Sequence, residues 1–452
     1  MLSHLLATRF GTGLSPDHSA PEAPEALLND LAGPDSAAAA FPVPGWDERM
    51  VNMRAFFRTR NARNKASEAD AEAANEAFRA QRVISAETYS GDLAAALARA
   101  SVAPTGFRDR LVWFWADHFA VLDGPSYRRS SVGAYYDAAI RPHVGGPFAT
   151  LLRNAATHPA MLSYLDQERS IGPNSPRGRD GGGGLNENLA RELLELHTLG
   201  VDGPYGQEDV RQLAELLTGL SISKEGEPRF RRNFAEPGAE TVLGRSYGGD
   251  QPNRHDIGRV LDDLAVHSAT ARHLSRKLAV HFVADDPPVD LVDAMQAAWL
   301  RSNGDLTEVY RVLTTHPAAL SPDQRKVRRP LDLVAAAARA TGRGPALPGA
   351  GRRVLRRYAT QPLEAMGQTW LRPPGPQGWP EEAAAWITPQ GLAARLDWAQ
   401  TVGEEIDTDP RAFLDVALGP LASSRTRFAV GAAEDRPAGI ALVLAAPEFQ
   451  RR

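Results

Sequence analysis

Residues 186–200 read NENLARELLELHTLG and follow directly on a run of four glycines at 181–184. A helix advances about 100° per residue, so this stretch presents two different faces. The apolar stripe that would face a core consists of Leu189, Leu193 and Leu196. The opposite face carries Asn188, Arg191, Glu192 and Glu195. Asn186 is typical of a helix start and Gly200 of a left-handed residue beyond a helix end. The pattern predicts an amphipathic helix.

The same helical spacing of apolar residues recurs along most of the chain. It is clearest at 84–103, 107–123, 269–284, 289–303, 306–320 and 330–344. Period-two strand patterns are scarce, and the best of them is TVLGRSYGG at 241–249. We therefore predict an all-α fold with at most a small β-hairpin excursion near 223–256.

Changes in composition along the chain divide it into three regions. We expect an N-terminal helical region at 1–222, an irregular excursion at 223–256 and a C-terminal helical region at 257–452, together forming one composite globular unit. The stretch IGPNSPRGRDGGGG at 171–184 is so rich in glycine and proline that we expect it to be mobile and unpacked.

Composition excludes several classes of protein. The formal net charge is −4, which gives no general basic field for nucleic acid or an anionic membrane. The chain has no cysteine, so any metal would need His, Asp or Glu ligands. The amino terminus lacks the pattern of a secretory signal, and no run of about 18 apolar residues predicts a membrane span. These features predict a soluble, cytoplasmic protein.

The polar face of 186–200 has two interpretations. In the first it is a solvated helix face, where an Arg191–Glu195 pair contributes about 0.3 kcal/mol. In the second, the carboxylates of Glu192 and Glu195 form an acid/base or metal-ligand set, with one pKa raised by its neighbour and Arg191 holding the other ionised. His197 falls towards the apolar side, where a structural role is the more common one.

A second polar unit lies in an apolar context. In LVWFWADHFAVLD, at 111–123, nearly every position except Asp117 and His118 is apolar, which predicts a helix buried on all sides. Buried polar groups need partners. The pair is therefore either a structural hydrogen-bonding unit or a site histidine tuned by burial and a carboxylate.

Other histidines and carboxylates have simpler interpretations. His158 and His316 each precede a proline, which favours a helix-capping role. Asp166, at a predicted helix end beside the glycine-rich segment, is a better site candidate. The common nucleotide-binding, nucleophile-elbow and zinc-protease motifs are absent from the sequence.

The order of several short segments resembles a bacterial family known as domain of unknown function number 1800. The segments are RFG (9–11), FWADHF (114–119), IRPHVGGPFATLL (140–152), HPAMLSYLDQ (158–167), NENLARELLELHTLGV (186–201), YGQEDV (205–210), LLTGL (216–220), LG (243–244), TARHLSRKLAVHFVADDPP (270–288), GD (304–305), MGQ (366–368) and APEFQRR (446–452). The resemblance covers essentially the whole chain.

This resemblance implies a large, mostly helical protein of a kind that is often exported and encoded beside a phosphatase- or sulfatase-like partner. It attaches no secure reaction to the chain. The family usually has Asn-His-Phe where this chain has Asp117-His118-Phe119. It often has His-Asp-x-Gly-x-Lys where this chain has residues 235–240, AEPGAE, so the histidine and the lysine are both missing.

Two functional hypotheses follow. The first is a hydrolase with a carboxylate and histidine centre, either alone or together with a divalent metal, and with the glycine-rich segment as a lid. Its catalytic candidates are Glu192, Glu195, His118 and Asp166. Its substrate-binding candidates are Arg191, Asn186 and Asn188. Its candidate metal ligands are His118, Glu187 and Glu192. The second hypothesis is a non-catalytic binding or accessory protein whose buried polar network is structural.

Overall fold

A computed structural model describes residues 1–121, 129–323 and 326–452, and the fold is mostly helical, as predicted. The α-helices before the strands are Leu2–Arg9, Pro24–Ala32, Ser36–Ala40, Trp46–Lys65, Ala71–Val102, Phe107–His118, Arg129–Tyr135, Phe148–Ala156, Pro159–Tyr164, Pro176–Arg179, Asn188–Glu192 and Gln207–Leu217. Those after the strands are Arg254–Ala265, Ser268–Phe282, Val289–Arg301, Leu306–Thr315, Pro330–Ala340, Gly351–Leu355, Gln361–Ala365, Ala383–Trp386, Pro389–Glu405, Pro410–Ala417, Ser424–Gly431, Arg436–Ala445 and Pro447–Gln450.

Shorter helical segments of other types continue or link these helices. The π-helical segments are Tyr136–Ile140, Leu193–His197 and Arg356–Thr360. The 3₁₀ segments are Arg141–His143, Gln167–Arg169, Pro317–Leu320, Gly344–Gly349 and Gly419–Leu421.

Two antiparallel hairpins form the β structure of the described residues. Strand β1 (Leu220–Ile222) pairs with β2 (Pro228–Phe230), and β3 (Gly238–Val242) pairs with β4 (Arg245–Gly249). The β3–β4 hairpin lies where the alternating pattern predicted one. The β1–β2 hairpin was not predicted, because strands of three residues carry too little alternation to be recognised.

The helix Phe107–His118 is the central element of the site described below. It is buried on nearly every side, as predicted, with Phe107 and Trp115 fully enclosed. The prediction carried this helix to residue 123, but it ends at His118. Residues 122 and 123 lie outside the described part of the chain.

The helix Pro330–Ala340, from the late part of the chain, packs against early parts of the chain. Its alanines are buried all round, so neighbouring helices approach closely. The guanidinium of Arg339 donates hydrogen bonds to the carbonyls of Gly13, Ala100 and Ala103, among others. Early and late parts of the chain therefore share one packed interior. The three-region division of the sequence stays a prediction.

The glycine-rich stretch 171–184 differs from the unpacked segment that was predicted. It contains the helix Pro176–Arg179, and its backbone donates to the carbonyls of Phe234 and Asn233. The backbone N–H of Asn174 donates to Glu236 at 2.9 Å. Proline and glycine here form hydrogen-bonded turns against 231–236, which the composition alone does not reveal.

The two histidines that precede prolines cap helices, as predicted. Nδ1 of His158 accepts from the N–H of Ala160 at 3.1 Å, and Nδ1 of His316 accepts from that of Ala318 at 3.3 Å. Within the described ranges, none of the helices combines the length and apolar character needed to cross a membrane.

Candidate functional site

The signature stretch 186–200 forms a helix that changes type halfway. The α-helix Asn188–Glu192 continues as the π-helical segment Leu193–His197. The wider π turn breaks the 100° spacing, so the two faces predicted from that spacing hold only as far as Glu192. The hydroxyl of Thr198 donates to the carbonyl of Leu193 at 2.6 Å and closes the segment. Turns of this type recur at functional sites.

The polar face of this stretch is a partly exposed ion-pair network. Arg191 contacts Glu187 and Glu195, each at 3.2 Å, and its side chain is 41% exposed. Such pairs contribute about 0.3–0.5 kcal/mol each. Oδ1 of Asn186 accepts from the N–H of Asn188 at 2.9 Å, which is a helix-start contact. These contacts are those of a solvated helix face.

Glu192 has more unusual surroundings than its neighbours. Its Oε2 is buried and has no hydrogen-bond partner among the described residues. Burial, followed by the nearby charge of Glu195, raises its pKa. Asp166 is exposed, has φ of 53°, and lies 3.5 Å from Arg169, which is itself exposed. The structure therefore gives Glu192, and not Asp166, a perturbed environment.

The predicted residues do not all meet at one point. No hydrogen bond or ion pair of the described residues joins His118 to Glu187, Glu192, Glu195 or Asp166. Among the described residues, no group of three or more His, Asp or Glu side chains is arranged to hold a metal ion. The suggested ligands His118, Glu187 and Glu192 are therefore not assembled as a metal site. Their catalytic and ligand roles stay predictions.

A buried network of charges lies instead around the helix Phe107–His118; we call it the polar centre. Its members are Arg110, Asp117, His281, Lys326, Arg329, Asp332, Glu381 and Arg452. Asp332 contacts Arg110 at 3.3 Å and also pairs with Arg452. Burial alone would raise the pKa of Asp332, but these guanidinium groups, Arg110 foremost, hold it well below its ordinary value. Asp332 is therefore ionised. Together with Arg110 and Arg452 it forms what we call the inner part of the polar centre.

Glu381 forms the outer part of the polar centre together with His281 and Lys326. It accepts from His281 Nδ1 at 2.7 Å and lies 3.2 Å from the Lys326 ammonium. Although burial raises its pKa, His281 and Arg329 outweigh that effect and hold the pKa well below its ordinary value. Burial lowers the pKa of His281 itself to about 3, so this imidazole is neutral at pH 7 and donates its Nδ1–H to Glu381.

Asp117 ties the end of the Phe107–His118 helix to the loop 372–382. Its carboxylate lies 2.8 Å from Arg329 and accepts from the N–H of Trp379 at 2.9 Å. Gly378 lies directly against it, with φ of 82°, and a Cβ there would lie 2.6 Å from the Asp117 carbonyl oxygen. The predicted need of Asp117 for partners is thus met from a distant part of the chain.

His118, the neighbour of Asp117, faces a different partner. Its Nε2 lies 3.2 Å from the carbonyl oxygen of His197, and its Nδ1 lies 2.9 Å from the Nζ of Lys277. A carbonyl oxygen only accepts, so Nε2 carries the proton and Nδ1 is the acceptor for a Lys277 N–H. His118 is therefore held in one tautomer, in which the lone pair of Nδ1 accepts a hydrogen bond from Lys277.

Lys277 lies on the wall of an open cleft of about 600 Å³. The lining includes Phe114, His273, Arg276, Val280, Trp379 and Glu381. Its position follows from the helix Ser268–Phe282, where His273, Lys277 and His281 recur every four residues and share one face. One helix face thus contributes to both the cleft and the polar centre.

Arg276, Glu381 and Glu382 also line the cleft, but the imidazoles around Lys277 carry no charge at pH 7. Burial lowers the pKa of His197 to about 3 and that of His273 to about 4, and it lowers that of His118 well below its ordinary value, with Lys277 as the next cause in each case. The three imidazoles are therefore neutral at pH 7. Burial also lowers the pKa of Lys277, which Asp117 and Glu381 only partly offset. Among these four groups, only the amine of Lys277 can therefore carry a positive charge at pH 7.

The two inner lysines of the chain have different surroundings. The ammonium of Lys326 donates to Asp285 at 2.7 Å and to the Glu381 carbonyl oxygen at 2.6 Å, and it lies 3.2 Å from the Glu381 carboxylate. Lys277 takes part in no ion pair of the described residues, and its one hydrogen bond there is the contact with His118. Lys326 is a structural cation, whereas Lys277 is open to a ligand.

Sequence reasoning singled out Asp117 and His118 but missed Lys277, Arg329 and Glu381. Composition holds a signal for the first of these. The 51 lysine and arginine residues include four lysines, which are Lys65, Lys224, Lys277 and Lys326. Two of the four lysines thus lie in or beside the polar centre, in a chain that otherwise uses arginine for its positive charges.

Comparison with known proteins identifies a family and nothing finer. Residues 5–451 match the family model described as "Protein of unknown function (DUF1800)". No curated protein and no solved structure matches the chain.

Proposed function

The chain belongs to the DUF1800 family over residues 5–451, and from this premise we propose that it is an enzyme whose active site is the cleft at Lys277. The observation that carries the proposal is the state of the Lys277 amine. It lines a cleft, it takes part in no ion pair of the described residues, and it donates to a neutral imidazole. A perturbed ionisable group in a cleft is a common sign of a functional site.

The geometry assigns different parts to the residues of the cleft. Lys277 is the group that accepts and returns a proton, because its pKa is lowered towards the range in which such transfer is efficient. His118 is a positioning residue, since its fixed tautomer holds the amine in place. Arg276, whose side chain is 56% exposed, lies at the same wall and is available to bind an acidic group of a substrate.

The reaction we propose is hydrolysis, with Lys277 in place of Glu192 and Glu195 as the residue that transfers the proton. Glu192 and Glu195 lie on a partly solvated face, whereas Lys277 lies in a cleft of a size that suits a small molecule. In this scheme Lys277 draws a proton from water as the water attacks the substrate, and it then returns the proton to the leaving group.

Activity of a matched pair of variants tests this proposal. Wild type, Lys277→Arg and Lys65→Arg are assayed against ester, amide, phosphate-ester and sulfate-ester substrates. Arginine keeps the positive charge but does not give up its proton. We expect hydrolysis of at least one class, slowed by about 100-fold or more in Lys277→Arg and unchanged in Lys65→Arg. Hydrolysis that Lys277→Arg leaves intact contradicts the proposal, as does the lack of hydrolysis of all four classes.

The polar centre favours a second candidate, a non-catalytic accessory protein. Asp117, Asp332 and Glu381 are each paired with buried cations, as expected for a network that holds the fold. The partner in that case would be the phosphatase- or sulfatase-like protein that the family resemblance implies. Under this alternative, neither wild type nor Lys277→Arg would hydrolyse any of the four substrate classes, and purified partner would bind both proteins with equal affinity.

A further inference from the structure

We propose that the Lys277 amine forms a covalent imine with a small aldehyde or ketone that carries an acidic group. This inference rests on the proposed site at Lys277 and adds to the proposed proton transfer a second reactivity of the same amine, towards carbonyl compounds. The argument uses the identity of the side chain, its contacts and the residues that line the cleft with it.

The identity of the side chain is the first step. The chain uses arginine for nearly all its cations, including the buried ones that pair with Asp117 and Asp332. Lysine at 277 does not serve an ion pair of the described residues, so pairing does not explain it. What lysine has and arginine lacks is a nitrogen that gives up its proton and then attacks a carbonyl carbon.

The contact with His118 is the second step. Nδ1 of His118 lies 2.9 Å from Nζ of Lys277, while its other nitrogen is fixed by the carbonyl of His197. This imidazole therefore accepts one N–H of Lys277. The lone pair and the other N–H of the unprotonated amine stay available to a molecule in the cleft. His118 Nδ1 is also placed to take the proton that the nitrogen sheds on attack.

The lining of the cleft is the third step. Phe114, Val280 and Trp379 give one part of the wall an apolar character, against which the carbon skeleton of a small carbonyl compound can pack. Arg276 lies on the same helix as Lys277 and has a weak partner, since its nearest carboxylate, Asp286, is 3.9 Å away and 98% exposed. A carboxylate or phosphate group of the ligand would bind Arg276 while its carbonyl carbon faces Lys277.

The reaction balances without an oxidant or a second reactant. The unprotonated amine forms a C–N bond to the carbonyl carbon, and the carbonyl π electrons move to oxygen. The nitrogen loses one proton to Nδ1 of His118, which passes it to that oxygen, and a neutral carbinolamine results. The C–O bond then breaks as the C=N bond forms, and the second N–H proton passes by way of His118 to the leaving hydroxyl, which departs as water. Amine and carbonyl compound give imine and water.

Trapping of the imine tests the inference. Purified wild type, Lys277→Arg, Lys277→Met and Lys65→Arg are treated at pH 7 with glyoxylate, pyruvate or 4-oxobutanoate and sodium cyanoborohydride. Peptide mapping by mass spectrometry then locates the secondary amine. We expect one adduct at Lys277, formed about tenfold or more faster than at Lys65, Lys224 or the amino terminus. The adduct at this position is absent from both Lys277 variants and unchanged in Lys65→Arg.

A second variant tests the role given to the acidic group. Arg276→Gln is expected to slow trapping of the three acidic probes by about tenfold and to leave trapping of acetaldehyde unchanged. Labelling that is equal at all lysines, or no adduct at Lys277 with any probe, overturns the inference. If Lys277→Arg abolishes hydrolysis while no adduct forms, the proposed site stands and the imine is wrong. If the adduct forms without any hydrolysis, the reaction class is wrong and the imine stands.

Discussion

Nζ of Lys277 donates a hydrogen bond to Nδ1 of His118 across 2.9 Å, and these residues are 159 positions apart in the sequence. The contact joins the end of the helix Phe107–His118 to the middle of the helix Ser268–Phe282. The amine thus has a fixed neighbour of neutral charge, in a cleft, beside a network whose other cations are paired.

The loop against Asp117 should tolerate no side chain at Gly378. In Gly378→Ala, the new Cβ would lie 2.6 Å from the Asp117 carbonyl oxygen at a φ of 82°. We expect a loss of at least about 2 kcal/mol in the free energy of unfolding, measured by urea denaturation. Gly351→Ala is the matched control, because its φ is 72° but its Cβ would meet nothing within 4 Å. Equal losses in the two variants would show that the Asp117 contact is unimportant.

The inner polar centre should depend on the charge of Asp332. Asparagine at this position leaves Arg110 and Arg452 buried without their anion. We expect Asp332→Asn to lower the free energy of unfolding by about 3–5 kcal/mol. Asp293→Asn, which breaks an exposed pair with Arg272, should cost less than about 1 kcal/mol. A small effect at Asp332 would mean that the network is not what holds these helices together.

Glu192 should behave differently from Glu187, although both lie in the signature stretch. Burial raises the pKa of Glu192, and one of its oxygens has no partner among the described residues. Glutamine at 192 should therefore leave stability at pH 7 unchanged or slightly increased, within about 0.5 kcal/mol. Glutamine at 187 removes the pair with Arg191 and should cost about 0.3–0.5 kcal/mol. A loss of several kcal/mol at Glu192 would instead identify a buried ion pair that the structure does not show.

Glu240 should make stability depend on pH. Burial, followed by the neighbouring Glu215, raises its pKa from 4.5 to about 7. Between these values the folded state holds a proton that the unfolded state releases, so stability falls as the pH rises. We expect a fall of roughly 1–3 kcal/mol over this interval, measured by denaturation at a series of pH values. Glu240→Gln should flatten the dependence, and the exposed Glu208→Gln should leave it unchanged. A steep fall that persists in Glu240→Gln would assign the effect to another group.

The helical fold was predictable because most helices have a solvated face and a buried face. The alternation at 241–249 likewise predicted the β3–β4 hairpin. The signature stretch shows where this reasoning ends. Its spacing was interpreted at 100° per residue, but the π-helical segment Leu193–His197 departs from that angle. The hydrogen bond from Thr198 that closes the segment has no counterpart in a hydrophobic pattern.

The site was only half predictable. The apolar context of Asp117 and His118 shows that they need partners, but it does not say which. Those partners lie more than a hundred residues further on, Lys277 within the helix Ser268–Phe282 and Arg329 directly before the helix Pro330–Ala340, and only the packing of those helices brings them near. The prediction that 171–184 is mobile and unpacked was wrong. Its composition suggested disorder, but its backbone forms hydrogen bonds with 231–236, which composition does not reveal.

The most direct test of the central claim is the pKa of the Lys277 amine. With four lysines in the chain, ¹³Cε-lysine labelling gives four NMR signals that single Lys→Arg variants assign. Because burial lowers the pKa of Lys277, we predict that its signal titrates clearly below the ordinary value of 10.5. If the Lys277 signal instead titrates at the ordinary value of 10.5, the amine is an ordinary cation and the proposal that the cleft is the active site is wrong.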